Sequence, residues 1–246
     1  MKTEQNATVG ALIKTTLVDF PGRVASAVFL TGCNLRCPYC YNGALVFNTE
    51  SPENLATFQQ IVAHLQKRKT VLSGFVISGG EALLHPATPE LIKAAKSLGY
   101  AVKLDTNGTL PEKLSALIHE PSTRPDFIAM DIKTSPSRYA ELLPSGAKQQ
   151  QEAFSARLKE SIALISASYT AENREWRTVL VPPLVQEADI ESIVQLLPAD
   201  ASWQFAHFRA ENCLDPSYND ITPYTESEEK HLVEKARALI AGATLR

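Results

Sequence analysis

Three cysteines stand within one short stretch, Thr31-Gly32-Cys33-Asn34-Leu35-Arg36-Cys37-Pro38-Tyr39-Cys40-Tyr41-Asn42. Thiolates are soft ligands, and thiolates this closely spaced can wrap one compact inorganic centre. A [4Fe–4S] cluster normally takes four thiolates, so a three-cysteine loop leaves one iron open to a substrate or cofactor. The residues alone also allow a zinc site or unconnected thiols. Structural zinc takes four ligands, most often as two separated pairs. The remaining cysteine, Cys213, lies far along the chain in Glu211-Asn212-Cys213-Leu214-Asp215-Pro216. It reads as an ordinary thiol, with a fourth-ligand role as its alternative.

Further charged and glycine-rich positions fall at the ends of apolar runs. Ser78-Gly79-Gly80-Glu81 closes one of them. Adjacent glycines let the main chain approach a ligand closely, or they make a plain strand-to-helix turn. Lys103 and Asp105 share one face of a strand by its period of two, and Asp131 and Lys133 share one face of another. Charges inside apolar strands cost free energy unless paired or liganded. These four therefore either form salt bridges across strands or line a polar pocket. Arg177, in Trp176-Arg177-Thr178, can grip a carboxylate through its fork or make a rim ion pair. His207 lies near the end of the last strand, as a structural residue or a ligand contact.

The Cys-x3-Cys-x2-Cys spacing, with aromatic Tyr39 before the last cysteine, resembles the signature of radical S-adenosylmethionine (SAM) enzymes. The resemblance runs over almost the whole chain. Leu17-Val18-Asp19-Phe20-Pro21-Gly22, Ser78-Gly79-Gly80-Glu81, Lys103-Leu104-Asp105-Thr106-Asn107-Gly108, Met130-Asp131-Ile132-Lys133 and Phe208-Arg209 through Leu214-Asp215-Pro216 resemble one subgroup. That subgroup is the glycyl radical enzyme activating proteins of the anaerobic ribonucleoside-triphosphate reductase type, which are similar to pyruvate formate-lyase activating enzymes.

The resemblance implies one [4Fe–4S] cluster on Cys33, Cys37 and Cys40, with SAM as the second cofactor. It implies reductive cleavage of SAM and removal of hydrogen from a glycine of a partner glycyl radical enzyme. It points to anaerobic ribonucleoside-triphosphate reductase as that partner, and to flavodoxin or ferredoxin as the reductant. Gly79 and Gly80 would hold the methionine end of SAM, with Glu81 nearby, and Tyr39 would pack on the adenine. Tyr41 is a second contact or plain packing. Asp131 and Lys133 would lie near SAM, with Asn107, Arg177 and His207 as further contacts. Asp105, Thr106 and Asp131 could hold a monovalent cation. No cysteine lies between Asn42 and Lys69, which leaves one cluster only. The alternatives are a radical SAM enzyme acting on a small molecule such as a purine-like heterocycle, or a non-catalytic thiol or zinc module.

These residues need a scaffold. Apolar, β-branched runs at 24–30, 74–78, 100–105, 127–133, 176–182 and 203–208 predict strands. Helical segments are predicted near 51–68, 87–98, 111–119, 149–168, 186–197 and 225–241, with Ser51-Pro52-Glu53 opening the first and Gly99 closing the second. This alternation predicts an α/β fold with a parallel sheet. Its six strands fit the partial (β/α)6 radical SAM barrel of the resemblance, whose chemistry sits on loops at the C-terminal strand ends. Residues 1–22 read as a strand or hairpin extension, and 1–246 as a single domain. The 246 residues are 44% hydrophobic and 21% charged, enough apolar material for a sizeable core. With 27 acidic against 24 basic residues and a net charge of −3, no nucleic-acid partner is expected. No apolar run approaches the roughly 18 residues of a membrane span. The polar start MKTEQNATVG lacks a signal-peptide core, so a cytoplasmic location is expected.

Overall fold

The computed structural model describes residues 7–144 and 150–246. Its elements are β1 (Thr8–Thr16), β2 (Ala25–Leu30), α1 (Gly43–Val46), β3 (Ala56–Thr57), α2 (Phe58–Arg68), β4 (Gly74–Gly79), α3 (Thr88–Ser97), β5 (Ala101–Thr106), α4 (Pro111–His119), β6 (Phe127–Asp131), α5 (Gln151–Ser168), β7 (Arg174–Leu180), α6 (Glu187–Val194), β8 (Trp203–His207), α7 (Glu226–Arg237) and β9 (Ala243–Leu245). The strand order is β3-β1-β2-β4-β5-β6-β7-β8-β9, so the sheet is open. β1 runs antiparallel to β2 and β3, whereas β2, β4 and β5 are parallel, as are β7, β8 and β9. The six predicted strands appear as β2, β4, β5, β6, β7 and β8. β3 and β9 had no sequence signal, being two and three residues long, too short to display a period of two.

The chain clusters into two compact units, and neither is continuous in sequence. The first holds Met1–Asn34, Ala44–Thr106 and Glu112–Ile128; the second holds Leu35–Gly43, Asn107–Pro111 and Ala129–Arg246.

In the first unit β2 and β4 are apolar on both faces and largely buried, as strands inside a parallel sheet must be. Phe20, in the turn after β1, packs with Ala25, Ala27, Val76 and Phe127, its ring centroid 5.8 Å from that of Phe127. The same turn is braced by Thr16, whose hydroxyl donates to Asp19 Oδ2 at 2.6 Å and accepts from the Val18 amide at 3.3 Å. This leaves Leu17 and Val18 exposed at its tip. The first predicted helix is divided. Pro52–Asn54 forms a separate 3-10 turn, the chain then pairs with β1 through β3, and α2 begins behind Thr57. Thr57 and Gln60 form a reciprocal capping box, a stronger start than Ser51, whose side chain makes no cap bond. The following helix, α3, ends before Gly99 as expected.

In the second unit β7 and β8 bury Trp176 and Trp203, and the Trp203 indole N–H donates to Thr178 Oγ1 at 3.0 Å. The connection predicted over 134–147 begins as 3-10 turns at Pro136–Leu142. Its residues 145–147, and the predicted helix start at 149, lie outside the described residues. α5, α6 and α7 follow within a few residues of their expected spans. Among the described residues no helix is long and apolar enough to cross a membrane.

Candidate active site

In the first unit, register decides where Cys33 stands. β2 pairs with β4 so that Phe29 faces Ser78 and Leu30 faces Gly79. The ladder then runs on past the strand ends. The Gly80 amide donates to Leu30 O at 3.0 Å, and the Glu81 amide to Gly32 O at 2.9 Å. A Cβ on Gly79 would stand 2.2 Å from Leu30 N, and one on Gly80 would stand 2.1 Å from Gly32 O. Gly79 also has φ +122°, which L side chains rarely adopt. The two glycines thus let main chain lie on main chain beside Cys33, a constraint that the sequence could not separate from close approach to a ligand. Glu81 is buried, and its Oε1 accepts from the Leu83 amide at 3.0 Å and from Thr106 Oγ1 at 2.8 Å. It therefore ties the end of β4 to the end of β5. Lys103, fully buried, pairs with Asp105 at 2.7 Å, and its ammonium lies 6.0 Å from the Phe127 ring centroid.

In the second unit Cys37 and Cys213 are buried and Cys40 is half-buried. The Cys37–Cys40 turn is closed by the Cys40 amide donating to Cys37 O at 3.0 Å. A strap from later in the chain holds it. The Asp215 amide donates to Pro38 O at 2.9 Å, and the Arg209 amide donates to the Tyr41 hydroxyl at 3.0 Å. Within the strap, the Cys213 thiol points to Arg209 O at 3.7 Å and Glu211 O at 3.9 Å, and burial pushes its pKa up.

Asp131 anchors the charged cluster of this unit. Arg177 Nε donates to its Oδ1 at 2.7 Å, and Lys133 Nζ to its Oδ2 at 3.0 Å. Burial pushes the Asp131 carboxyl up, but the attraction of Arg177 and Lys133 outweighs it and holds the carboxyl well below the usual carboxylate range. For Lys133, burial opposes the charge while Asp131 and then Tyr39 and Cys37 favour it, and the result is a raised pKa. The Lys133 amide donates to the Tyr139 hydroxyl at 3.0 Å. Tyr39 is buried, and its pKa is raised by burial and by Cys37, with Lys133, Asp131 and Tyr139 also within electrostatic reach. Among the described residues the Tyr39 hydroxyl has no hydrogen-bond partner.

The sequence left open whether Lys103, Asp105, Asp131 and Lys133 pair across strands. Lys103 pairs with Asp105 within β5, while Lys133, two residues past the end of β6, pairs with Asp131, which also takes Arg177 from β7. Asn107 accepts from the Thr109 amide at 3.0 Å and the Thr109 hydroxyl at 2.6 Å, a local turn motif. His207 Nδ1 lies 2.7 Å from Glu229 Oε2. It lines a cavity of about 470 Å³ together with Tyr41, Arg209, Asn212 and Arg246. Sequence reading passed over Tyr139 and Glu229. Tyr139 lies in a turn without a periodic signal. Glu229 does carry one, as an acid on the apolar stripe of a helix.

Among the described residues no three His, Cys, Asp or Glu side chains converge to hold a single metal ion. An iron–sulfur cluster has a different requirement, since its thiolates bind separate irons.

Over 241 residues the chain is 29% identical to a Methanocaldococcus jannaschii protein named for glycyl-radical enzyme activation, covering 98% of this chain and 96% of that one. Over 94 residues it is 38% identical to the 7-carboxy-7-deazaguanine synthase of Hyperthermus butylicus, covering 37% of this chain and 38% of that one. The fold is similar to that of Escherichia coli QueE, with a TM-score of 0.55 at 14% identity over 99% of this chain and 96% of that one. Residues 27–169, which include the three-cysteine loop and both lysine–aspartate pairs, match the radical SAM superfamily, and the chain belongs to that family.

Proposed function

We propose that this enzyme activates a glycyl radical enzyme, and that its partner is an anaerobic ribonucleoside-triphosphate reductase. The observation that carries the activating role is the end-to-end similarity to the Methanocaldococcus jannaschii protein, which leaves almost no part of either chain unmatched; the choice of the reductase rests on the motif resemblance alone. The similarity to the deazaguanine synthase covers little more than a third of each chain and supports the small-molecule alternative less.

Family membership implies a [4Fe–4S] cluster and SAM, and the residues present fit both. Cys33, Cys37 and Cys40 lie within eight residues of one another in sequence and would hold the cluster. A buried hydroxyl without a partner costs about 1–3 kcal/mol, which a polar ligand atom at Tyr39 would remove. Together the two cofactors, when bound and reduced, supply a carbon-centred radical able to take a hydrogen atom. The protein's own work is positioning. Asp131 stays ionised between Arg177 and Lys133 and so keeps both cations in place. That trio offers one anionic and two cationic groups, which suits the zwitterionic end of an amino acid. The strap at Asp215 and Arg209 fixes the Cys37–Tyr41 turn so that its thiols are placed before any ligand arrives. A glycine Cα is a suitable hydrogen donor, because flanking amides stabilise the product radical and no side chain blocks the approach. Reacting atoms must come within roughly 3–3.5 Å, so the partner must present its glycine on a mobile segment. Flavodoxin or ferredoxin would supply the electron.

The test is electron paramagnetic resonance on the reconstituted enzyme mixed with SAM, a reductant and the reductase from the same source. A persistent organic doublet, split by the single α-hydrogen, is expected. Its appearance only with a formate-lyase-type enzyme would change the partner. Absence of any protein radical, together with rapid turnover of a purine-like heterocycle, would overturn the reading.

A further inference from the structure

Register sets Lys103 of β5 beside Val76 of β4, and Val76 beside Ala27 of β2. Ala27, Val76 and Phe127 belong to one apolar cluster, and Ala101, two residues before Lys103 and so on the same face, packs against it. The Lys103 stem therefore runs over apolar surface. Only 1% of the side chain is exposed, and the ammonium lies 6.0 Å from the Phe127 ring centroid. A cation in such a place is tolerated only with an anion beside it. That anion is Asp105, whose Oδ1 accepts from Lys103 Nζ at 2.7 Å. Asp105 is 11% exposed, one residue before the C-terminal end of β5.

The resemblance of this chain to activating proteins implies a monovalent cation on Asp105, Thr106 and Asp131. The donor set does not fit one. A second cation on Asp105 would meet the Lys103 ammonium at short range, in surroundings that screen like charges poorly. Thr106 turns its hydroxyl to Glu81 Oε1 at 2.8 Å. Asp131, in the second unit, takes Arg177 on Oδ1 and Lys133 on Oδ2. Each carboxylate of the expected set already carries positive charge supplied by the chain itself.

We propose that these residues bind no monovalent cation, and that the Lys103 ammonium supplies on Asp105 the charge such an ion would bring. A tethered ammonium is present at every salt concentration, whereas a free ion occupies its site only by mass action. The inference concerns the protein before any substrate binds and is independent of which partner it activates.

The experiment compares KCl, NaCl and tetramethylammonium chloride at one ionic strength, the last having a cation too bulky to sit on one carboxylate. Melting temperature and SAM dissociation constant are measured on the anaerobic holoenzyme for wild type, Lys103→Ala, Lys103→Met and Lys103→Ala with Asp105→Asn. The wild type is expected to give the same two values in all three salts. Lys103→Ala strips Asp105 of its countercharge and leaves space beside it. It should melt lowest in tetramethylammonium and regain about 2–4 °C in K+ or Na+. Adding Asp105→Asn removes the anion and should abolish that regain. If Lys103→Ala does not fold, Lys103→Met keeps the apolar stem and carries the same comparison. A wild type that melts higher or binds SAM more tightly in K+ or Na+ than in tetramethylammonium overturns the proposal. A folded lysine variant with no salt response, or one whose response survives Asp105→Asn, overturns it too. A holoenzyme that binds no SAM in any salt overturns the SAM-dependent function instead, and the melting temperatures still decide this inference.

Discussion

Anaerobic reconstitution of Cys33→Ala, Cys37→Ala or Cys40→Ala is expected to yield almost no bound iron, against about four irons per chain for the wild type. The loss should be near complete in each case, because two thiolates on a short loop cannot retain a cubane. Cys213→Ala is the informative control. Its thiol faces two main-chain carbonyls, Arg209 O and Glu211 O, and burial raises its pKa, so it favours the protonated form, which is a poor ligand. Iron content and the visible absorption band should survive that substitution. Retention of iron in Cys37→Ala, or its loss in a folded Cys213→Ala, would reassign the ligands.

Asp131→Ala should produce the second large effect, on SAM and not on iron. The substitution leaves Arg177 and Lys133 side by side, each with roughly a fifth to a quarter of its side chain exposed and with their shared anion gone. Breaking a fully buried pair costs about 3–5 kcal/mol, and partial exposure reduces this to about 1–3 kcal/mol. SAM affinity should fall at least about tenfold, while iron stays bound. Asp131→Asn isolates the charge. The folded-state pKa of Asp131 is held below its unfolded value of about 3.9. Its contribution is therefore complete above that value and is lost only as pH falls toward the lower folded-state pKa. The stability gap between wild type and Asp131→Asn should be flat from about pH 5 to pH 7 and shrink below about pH 4. Denaturant titrations across that range measure it. A gap that closes already near neutrality would place the charge dependence on another group.

Much of this was legible in the sequence, and the rest was hidden for identifiable reasons. Parallel strands bury both faces, so their apolar runs stand out, and all six were found with nearly correct limits. The lysine–aspartate positions were visible because period two puts them on one face. Their pairing was not, because an i, i+2 pair along the chain and a pair across strands have the same pattern in sequence. The start of α2 was misplaced because Ser51-Pro52-Glu53 is itself a good helix opening, and only pairing between β3 and β1 favours the later one at Thr57. Glu229 was passed over because one acid on an apolar stripe means little until the residue facing it, 22 positions earlier in sequence, is known. The orphaned Tyr39 hydroxyl belongs to the same class of information.

The glycine contacts beside Cys33 bear on which genetic repairs are open to the protein. At Gly79 and Gly80 the atoms nearest a new Cβ are main-chain atoms of Leu30 and Gly32, at 2.2 and 2.1 Å. Every amino acid carries those atoms, so no second-site change at 30 or 32 can make room. In a selection for restored activity, revertants of Gly80→Ala should be same-site reversions to glycine. Gly108 differs. Its new Cβ would stand 2.0 Å from the terminal Cε of Met130, the far end of a flexible side chain. Shortening Met130 removes that obstacle and leaves only the backbone strain of a positive φ, about 1–2 kcal/mol. Gly108→Ala should accordingly yield intragenic suppressors at 130, a position far from it in sequence, whereas the paired glycines offer evolution no neighbour to adjust.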